Sequence, residues 1–376
     1  MELNARHVCV ATGSRPHTPD TFRSSPGAAR VPLNFTATSR IVTSTEMGNM
    51  LDMPKAVAII GGGIIAVEYA TVLSKLGVGV SLLCKENEFL PFLEEELRET
   101  LRRRMRRSHV LFVTEDVKDI EVDPAFVKIS LQTPTPSTGE PVSSSATAAA
   151  VVGRNKTPVE RKLKVDLLLY SSGRDANSEG LGLDAVGVTL GSYGRIAVDS
   201  RTYRTSSPCA IYAVGDVIGP PGLASAAQHQ ARSLVDHLFG KKSAFAKRQR
   251  ASFGNKDAVT QVTQSSHNDD DDNNYDDDLD VERDNYFASP AVSGSEGDHP
   301  ATLFGDEFTS TNVPLTLWTM PEIASVGLTL KQAMAREASR RQQSGRTRVF
   351  LEGKACFKET ARGRLTGDTD GFLKVV

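Results

Sequence analysis

The stretch at 56–77, AVAIIGGGIIAVEYATVLSKLG, limits the possible folds more than any other. Ala56–Ile60 is a continuous apolar run, as expected of a parallel strand buried on both faces. It runs into Gly61-x-Gly63-x-x-Ala66, and a helix is predicted over 64–76. The first glycine permits a tight turn. The second lets the backbone come close to a pyrophosphate, and the small Ala66 lets helix and strand lie close together. Free N–H groups at the helix start, together with the helix dipole, favour an anion there. The strand before and the helix after supply the context this motif requires. A plain glycine-rich turn is the alternative.

The pattern continues as β-α-β. Strands are predicted at 78–83 and 110–113, a helix at 92–107, and a hairpin or meander at 116–122 and 126–132 around Asp123-Pro124. Residues 14–35, rich in Pro, Ser and Gly, read as loop, and 133–160 as an irregular insertion. Apolar order returns at 165–170. Two short strands are predicted within 186–199, a strand at 210–214 and a helix at about 223–239.

Where the second strand ends, an NAD site would carry an acid for the ribose hydroxyls. Cys84 stands there. Lys85 follows and could meet a 2′-phosphate, with Glu86 and Glu88 beside it, or be a solvated loop charge. The choice between NAD and NADP stays open. The arginine-rich LRETLRRRMRR (97–107) has apolar positions Leu97, Leu101 and Met105 at spacing four. Its charges are expected on a solvated outer face.

Charge is unevenly distributed. Residues 241–312 hold 7 Lys and Arg against 15 Asp and Glu; the rest holds 37 against 31. The acidic run NDDDDNNYDDDLDVERD within that segment buries too little apolar area to fold alone, so 241–312 is expected to be disordered. Order is expected from Val313. The slight basic surplus elsewhere is too weak to suggest nucleic acid. No run of about 20 apolar residues suggests a membrane span, and the N-terminus does not resemble a secretory signal. Cys9, Cys84, Cys209 and Cys356 are too scattered for a redox pair or zinc site and suit a reducing compartment. The seven histidines are equally scattered, each read as structural or solvated, and no catalytic side chain or metal ligand is assigned.

Two weaker signals lie outside the β-α-β unit: ATGSRP at 11–16, and IYAVGDV at 211–217 followed by PPGLASAAQHQAR. In the second, a buried strand delivers Gly215-Asp216 at its end. Glycine allows close approach and the carboxylate can accept hydrogen bonds from sugar-like hydroxyls. The small first turn of the next helix could lie against a flat ring.

Taken in order, ATGSRP, GGGIIAVEYA, SSGRDAN (171–177), YAVGDV and TMPEIASVG (319–327) resemble the pyridine nucleotide–disulphide oxidoreductase family, within it most nearly the soluble transhydrogenases. The resemblance covers nearly all of 1–240 and 313–376. It implies an α/β fold with a Rossmann-like NAD(P) domain (53–170) inserted in a partial FAD-binding domain (1–52 and 171–240). A C-terminal α+β domain, which forms the dimer interface in that family, would begin at 313–376. Gly61, Gly63, Ala66, Glu68, Lys85, Gly173 and Arg174 would serve NAD(P), with Glu68 toward the nicotinamide end or simply a helix-surface acid. Thr12, Gly13, Gly215, Asp216, Leu223 and Ala224 would contact FAD. The implied activity is hydride transfer between NADPH and NAD through FAD. The alternatives are a disulphide reductase and an inactive nucleotide-binding remnant. A homodimer and a cytoplasmic or mitochondrial location are expected. The family's first GxGxxG, the cysteine pair after it and the later His-Glu pair of disulphide-reducing members fall outside this chain, which reads as a fragment.

Overall fold

The structure is a computed structural model that describes residues 3–26, 28–35, 39–132, 160–240, 314–344, 349–367 and 369–376. The acidic segment 241–312, Val313 and nearly all of the insertion at 133–160 lie outside the described residues.

The centre is a five-stranded parallel sheet in the order Ile41–Val42, Leu167–Tyr170, Ala56–Ile60, Gly79–Leu83, Leu111–Val113. Its middle strands are apolar without alternation because both faces are covered: Val57, Ala58, Ile59, Leu82, Leu168 and Leu169 have no exposed surface. On one face Ile59, Leu82 and Leu169 pack with Ala66, Ala70 and Leu73 of the helix Ile64–Lys75 and with Leu101 and Met105 of the helix Glu95–Arg107. On the other, Ile60 and Leu168 pack against Val127, Ile129 and Leu131 of a three-stranded antiparallel sheet. That sheet is the predicted meander, Asp116–Val122 and Val127–Gln132, joined by Glu160–Val165. The apolar return at 165–170 is therefore two elements, the end of a meander strand and the start of a sheet strand. Ile41–Val42, within the expected first flavin segment, is the edge strand of this sheet.

A second core gathers Val10, Ala176, Ile196, Ile211, Ala213 and Val217. Val8–Val10 pairs parallel with Ile211–Ala213, and Ser14–Pro16 antiparallel with Arg174–Ala176. Chain pieces some 160 to 200 positions apart thus build one unit. The expected loop at 14–35 contains short strands: Ser14–Pro16, Thr21–Phe22 and Val31–Pro32. Within 186–199 the expected strands shrink to isolated bridges, Leu190 to Ile196 around the 3₁₀ turn Ser192–Gly194 and Val198 to Thr205.

One boundary moves for a capping reason. The helix expected from 92 starts at Glu95, because the Glu94 carboxylate accepts from the N–H groups of Glu96 (2.9 Å) and Leu97 (3.2 Å). The next helix is Ala224–Phe239, with Leu223 as its N-cap.

The arginines of Glu95–Arg107 are more engaged than a solvated face requires. Arg102 is buried, pairs with Glu99 at 2.8 Å and lies 4.9 Å over the Phe89 ring. Arg104 and Arg107 both grip Asp370, at 3.1 and 2.6 Å. The period-four apolar pattern located Leu101 and Met105 in the core but could not reveal a partner far along the chain. That partner, Asp370, lies two residues before Phe372–Val375, which pairs antiparallel with Gly353–Cys356. Before it, the hairpin Leu315–Leu317 and Ile323–Ser325 places Leu315, Leu317 and Ile323 in the same core as the helix Ile64–Lys75. Among the described residues, no helix is long and apolar enough to cross a membrane.

Candidate functional site

A cleft of about 320 Å³ lies where the two cores meet. Gly61, Gly63, Ile64 and Glu68 line one wall; Ser14, Asp216, Gly219 and Leu223 line the other; Gly173, Arg174, Thr316 and Trp318 complete the rim. The glycine turn at 61–63 and the carboxylate at 216 therefore face a shared space.

The first wall follows from backbone crowding. Gly61 has φ +124°, and an added Cβ would stand 2.7 Å from the Ser171 carbonyl oxygen. Gly62 is equally constrained. Its carbonyl accepts from Leu90 N–H (2.9 Å), and a Cβ there would overlap the Glu88 carbonyl. Gly63, the N-cap of the helix, has no side-chain cap and open space where a Cβ would point. Gly63, Ile64 and Ile65 line the cleft, so the start of this helix, whose first-turn N–H groups lack intrahelical acceptors, borders it. Ala66 is fully buried against the strand and contributes packing.

The second wall is polar. Ser14 Oγ donates to Asp216 Oδ2 at 3.0 Å, and Arg174 donates to both Ser14 Oγ (2.7 Å) and the Ser14 carbonyl (2.8 Å). Asp216, Ser14 and Arg174 form one chain of hydrogen bonds along this wall to the rim. Gly215 has φ +78° and donates its N–H to Gln230 Oε1 at 2.7 Å, which ties the turn to the helix behind it. Thr12, which is exposed, and the half-buried Gly13 lie outside the cleft and are tied to Asn177. Thr12 Oγ1 donates to the Asn177 carbonyl, and Asn177 N–H donates to the Gly13 carbonyl.

Glu68 is half-buried, and its Oε1 accepts from Trp318 N–H at 2.7 Å. Burial pushes its carboxyl above the usual range, partly offset by that hydrogen bond. Lys85 borders a smaller cavity of about 50 Å³ on the far side of Gly61. Its Nζ donates to the Thr114 carbonyl and to Asp116, both at 2.7 Å. Buried beside it, Cys84 has its thiol pushed up to about 12, chiefly by desolvation, so it is an inert thiol.

Of the residues singled out in the sequence, the cleft brings together Gly61, Gly63, Glu68, Gly173, Arg174, Asp216 and Leu223. Thr12, Gly13, Ala66, Lys85, Gly215 and Ala224 do not line it. Ser14, Trp318, Arg195 and Gly62 were missed as site residues. Ser14 sits inside the recognised motif ATGSRP, and Trp318 directly precedes TMPEIASVG. Nothing local marks Arg195. A histidine contact was also missed: His17 Nδ1 is 2.8 Å from Asp175 Oδ1, and its ring meets Tyr193 edge-on.

Known proteins place this arrangement. The chain is 28% identical over 376 residues to a soluble pyridine nucleotide transhydrogenase of Chromohalobacter salexigens, and 27% identical over 374 residues to that of a Marinomonas species. All of the chain is covered, against 57% and 56% of those proteins, so it spans somewhat over half the length of the curated relatives it matches. Among solved structures, the copper(II) complex of the HOCl-induced flavoprotein disulfide reductase RclA from Escherichia coli superposes with a TM-score of 0.60 at 20% identity, covering 100% of this chain and 60% of that one. LpdA from Mycobacterium tuberculosis superposes with the same score at 20% identity, covering 98% of this chain and 56% of its own. These likenesses establish the Rossmann-type α/β fold. The family described as pyridine nucleotide-disulphide oxidoreductase, flavoproteins that combine FAD with a nicotinamide dinucleotide, matches residues 1–231. The chain belongs to that family of oxidoreductases.

Proposed function

We propose that this chain carries the nicotinamide and part of the flavin machinery of an FAD-dependent oxidoreductase, and that the reaction is hydride transfer between NADPH and NAD. The observation carrying this reading is the single cleft lined by both the glycine turn at 61–63 and the carboxylate turn at 215–216. Two dinucleotides seated on those turns would bring their rings into one space.

The residues fit such ligands. Gly61 and Gly63, with the uncapped first turn of Ile64–Lys75, hold the nicotinamide dinucleotide's pyrophosphate. Ala66 keeps that helix close to its strand. Glu68 fixes the Trp318 backbone at the cleft wall, and Gly173 and Arg174 border the nicotinamide end. On the other side Asp216 accepts hydrogen bonds from flavin-chain hydroxyls, oriented by Ser14 and Arg174. Thr12, Gly13 and Gly215 shape the backbone beneath, while Leu223 and Ala224 start the helix that faces the ring. Bound FAD would supply the two-electron acceptor and donor. The protein contributes orientation and exclusion of water, and no side-chain nucleophile is required.

The whole enzyme is proposed as a homodimer in the cytoplasm, with a mitochondrial location as the other compartment compatible with reduced thiols. A second reading, disulphide reduction, is favoured by the fold likeness to a flavoprotein disulfide reductase. The test is to purify the protein with its flavin and offer NADPH with an NAD analogue, then with lipoamide or glutathione disulphide. Hydride exchange with the analogue supports the first reading. Reduction of the disulphides without exchange rejects it. A colourless protein that binds a nucleotide and catalyses neither would be an inactive remnant.

A further inference from the structure

The small cavity continues from the cleft around the glycine turn: Gly61, Glu88 and Ser172 border both. It lies at the C-terminal ends of Ala56–Ile60 and Gly79–Leu83, where the adenosine ribose of a dinucleotide on such a turn sits. Selection for or against a 2′-phosphate is made there, and the charges that border the space are Arg23, Lys85, Glu88 and Glu115.

Lys85 was the one sequence candidate for meeting that phosphate, and its ammonium is already occupied. It is 2.7 Å from Asp116 Oδ1 and 2.7 Å from the Thr114 carbonyl. Both members of the pair are about a fifth exposed, Lys85 at 21% and Asp116 at 20%, so solvent weakens the contact less than at an open surface. Asp116 is itself fixed. Ser24 Oγ donates to the same carboxylate at 3.1 Å, and Val117 N–H donates to Ser24 Oγ at 3.0 Å. Glu88, in turn, is held by Lys85 N–H donating to its Oε2 at 3.0 Å, so an acid stays at the edge of both cavities. Burial opposes ionisation of Asp116, but hydrogen bonds from Lys85, Ser25 and Ser24 outweigh it and hold the carboxyl below its ordinary value. At neutral pH a 2′-phosphate would meet a neutralised lysine flanked by carboxylates.

We propose that Asp116 is a specificity-determining residue: by engaging Lys85 it makes the glycine-turn site favour the dinucleotide without a 2′-phosphate by about tenfold, so that NADPH still enters as hydride donor but is the more weakly held of the two. The inference rests on the nicotinamide reading above and extends it to this site's preference. Discrimination here comes from a repulsive element rather than from an extra contact to NAD.

The chain has a single tryptophan, Trp318, on the rim of the cleft, so quenching of its emission by reduced nicotinamide reports binding without turnover. Titrations of the full chain with NADH and NADPH should show NADH bound about tenfold tighter or more. Asp116→Asn keeps an acceptor for Ser24 and removes the charge. It should tighten NADPH by about tenfold and move NADH by less than about twofold. Adding Lys85→Ala to that variant should abolish the gain. Lys85→Ala alone leaves the Asp116 carboxylate without its counter-charge and should not tighten NADPH relative to NADH, and it provides the test if the asparagine variant does not fold. Arg23→Ala isolates the other cation at the cavity and should leave that ratio unchanged. NADPH binding as tight as NADH in the wild type, a selective NADPH gain on Lys85→Ala alone, a selective NADPH loss on Arg23→Ala alone, or an equal shift for both ligands in Asp116→Asn would overturn the assignment. Quenching by neither dinucleotide would overturn the functional reading beneath it.

Discussion

The turn at 61–63 and the hairpin Gly353–Cys356 and Phe372–Val375 both attach to the central sheet and its helices, by opposite means. The turn is held by backbone crowding and by strands with no exposed surface. The hairpin is held by charges. Lys374 reaches Glu94 (3.1 Å), Glu96 (3.3 Å) and Glu352 (3.0 Å), Lys354 pairs with Glu96, and Asp370 bridges Arg104 and Arg107. Its Leu373 and Val375 remain largely exposed. Steric fit tolerates almost no change and ignores salt, whereas ion pairs near the surface tolerate substitution and respond to salt and pH. Positioning of the dinucleotide site thus relies on the kind of contact that is least adjustable.

The contrast is broken most directly at Gly62. Gly62→Ala forces its Cβ onto the Glu88 carbonyl. Overpacking against backbone should cost about 3 kcal/mol or more and distort the pyrophosphate turn, read as a lower Tm and loss of Trp318 quenching by NADH. A wild-type-like Tm would show that the 86–89 segment can move aside and that the turn is softer than argued. Next in size, Leu169→Ala empties a fully buried position in the central sheet and should cost about 2–5 kcal/mol by denaturant titration. It should leave the ligand preference unchanged, because Leu169 touches neither cavity.

These two sites also mark how much could be read from the residues. The strand–turn–helix at 56–77 was legible to within a residue, because a doubly buried strand and a glycine turn write their requirements locally. Gly62 was not legible as a constrained position. Its neighbour, the Glu88 backbone, is 26 positions away and comes close only when the second strand pairs with the first. The flavin side was weaker for the same reason. Asp216 could be suspected from its turn, but the Ser14 and Arg174 partners that orient it lie 202 and 42 positions away, joined by the pairing of Ser14–Pro16 with Arg174–Ala176. The arginine helix does expose Arg103, Arg106 and Arg107, but buried Arg102 and the Asp370 contacts were not legible, because periodicity reports which face is apolar and is silent on what meets the polar one. Lys85 was identified while its Asp116 partner, on another strand, was not.

A smaller effect is expected where the two kinds of contact meet, at Glu68. Its carboxylate ties the Trp318 backbone to the helix Ile64–Lys75. Glu68→Ala should cost about 1 kcal/mol and redshift Trp318 emission as the rim loosens. Burial raises this carboxyl, so the neutral form is favoured on folding. That contribution is complete below the ordinary glutamate value and lost as pH rises through the raised one. Trp318 emission should therefore titrate with a midpoint above the usual glutamate range, and the titration should vanish in Glu68→Gln. A midpoint unchanged by that substitution would assign the transition to another group.

The smallest effect on global stability belongs to the hairpin, and it tests the comparison from the other side. Lys374→Met removes three ion pairs at once, yet screened pairs of this kind should contribute only about 0–1 kcal/mol in total to unfolding. The local consequence should be larger. Hydrogen bonds from Lys354 and Lys374 hold the Glu96 carboxyl below the usual glutamate range. Its contribution is present above that range and is lost as pH falls through the lowered value, while the raised Lys374 keeps its charge through neutral and moderately alkaline pH. Protection of the amides at 353–356 and 372–375, taken relative to their intrinsic exchange rates at each pH, should fall in acid and in high salt, and protection at 56–60 should not. If both segments respond equally, the hairpin unfolds with the sheet as one cooperative unit, and the division between steric and ionic attachment fails. If only the hairpin responds, the dinucleotide turn is insulated from the ionic surroundings of the end of the chain.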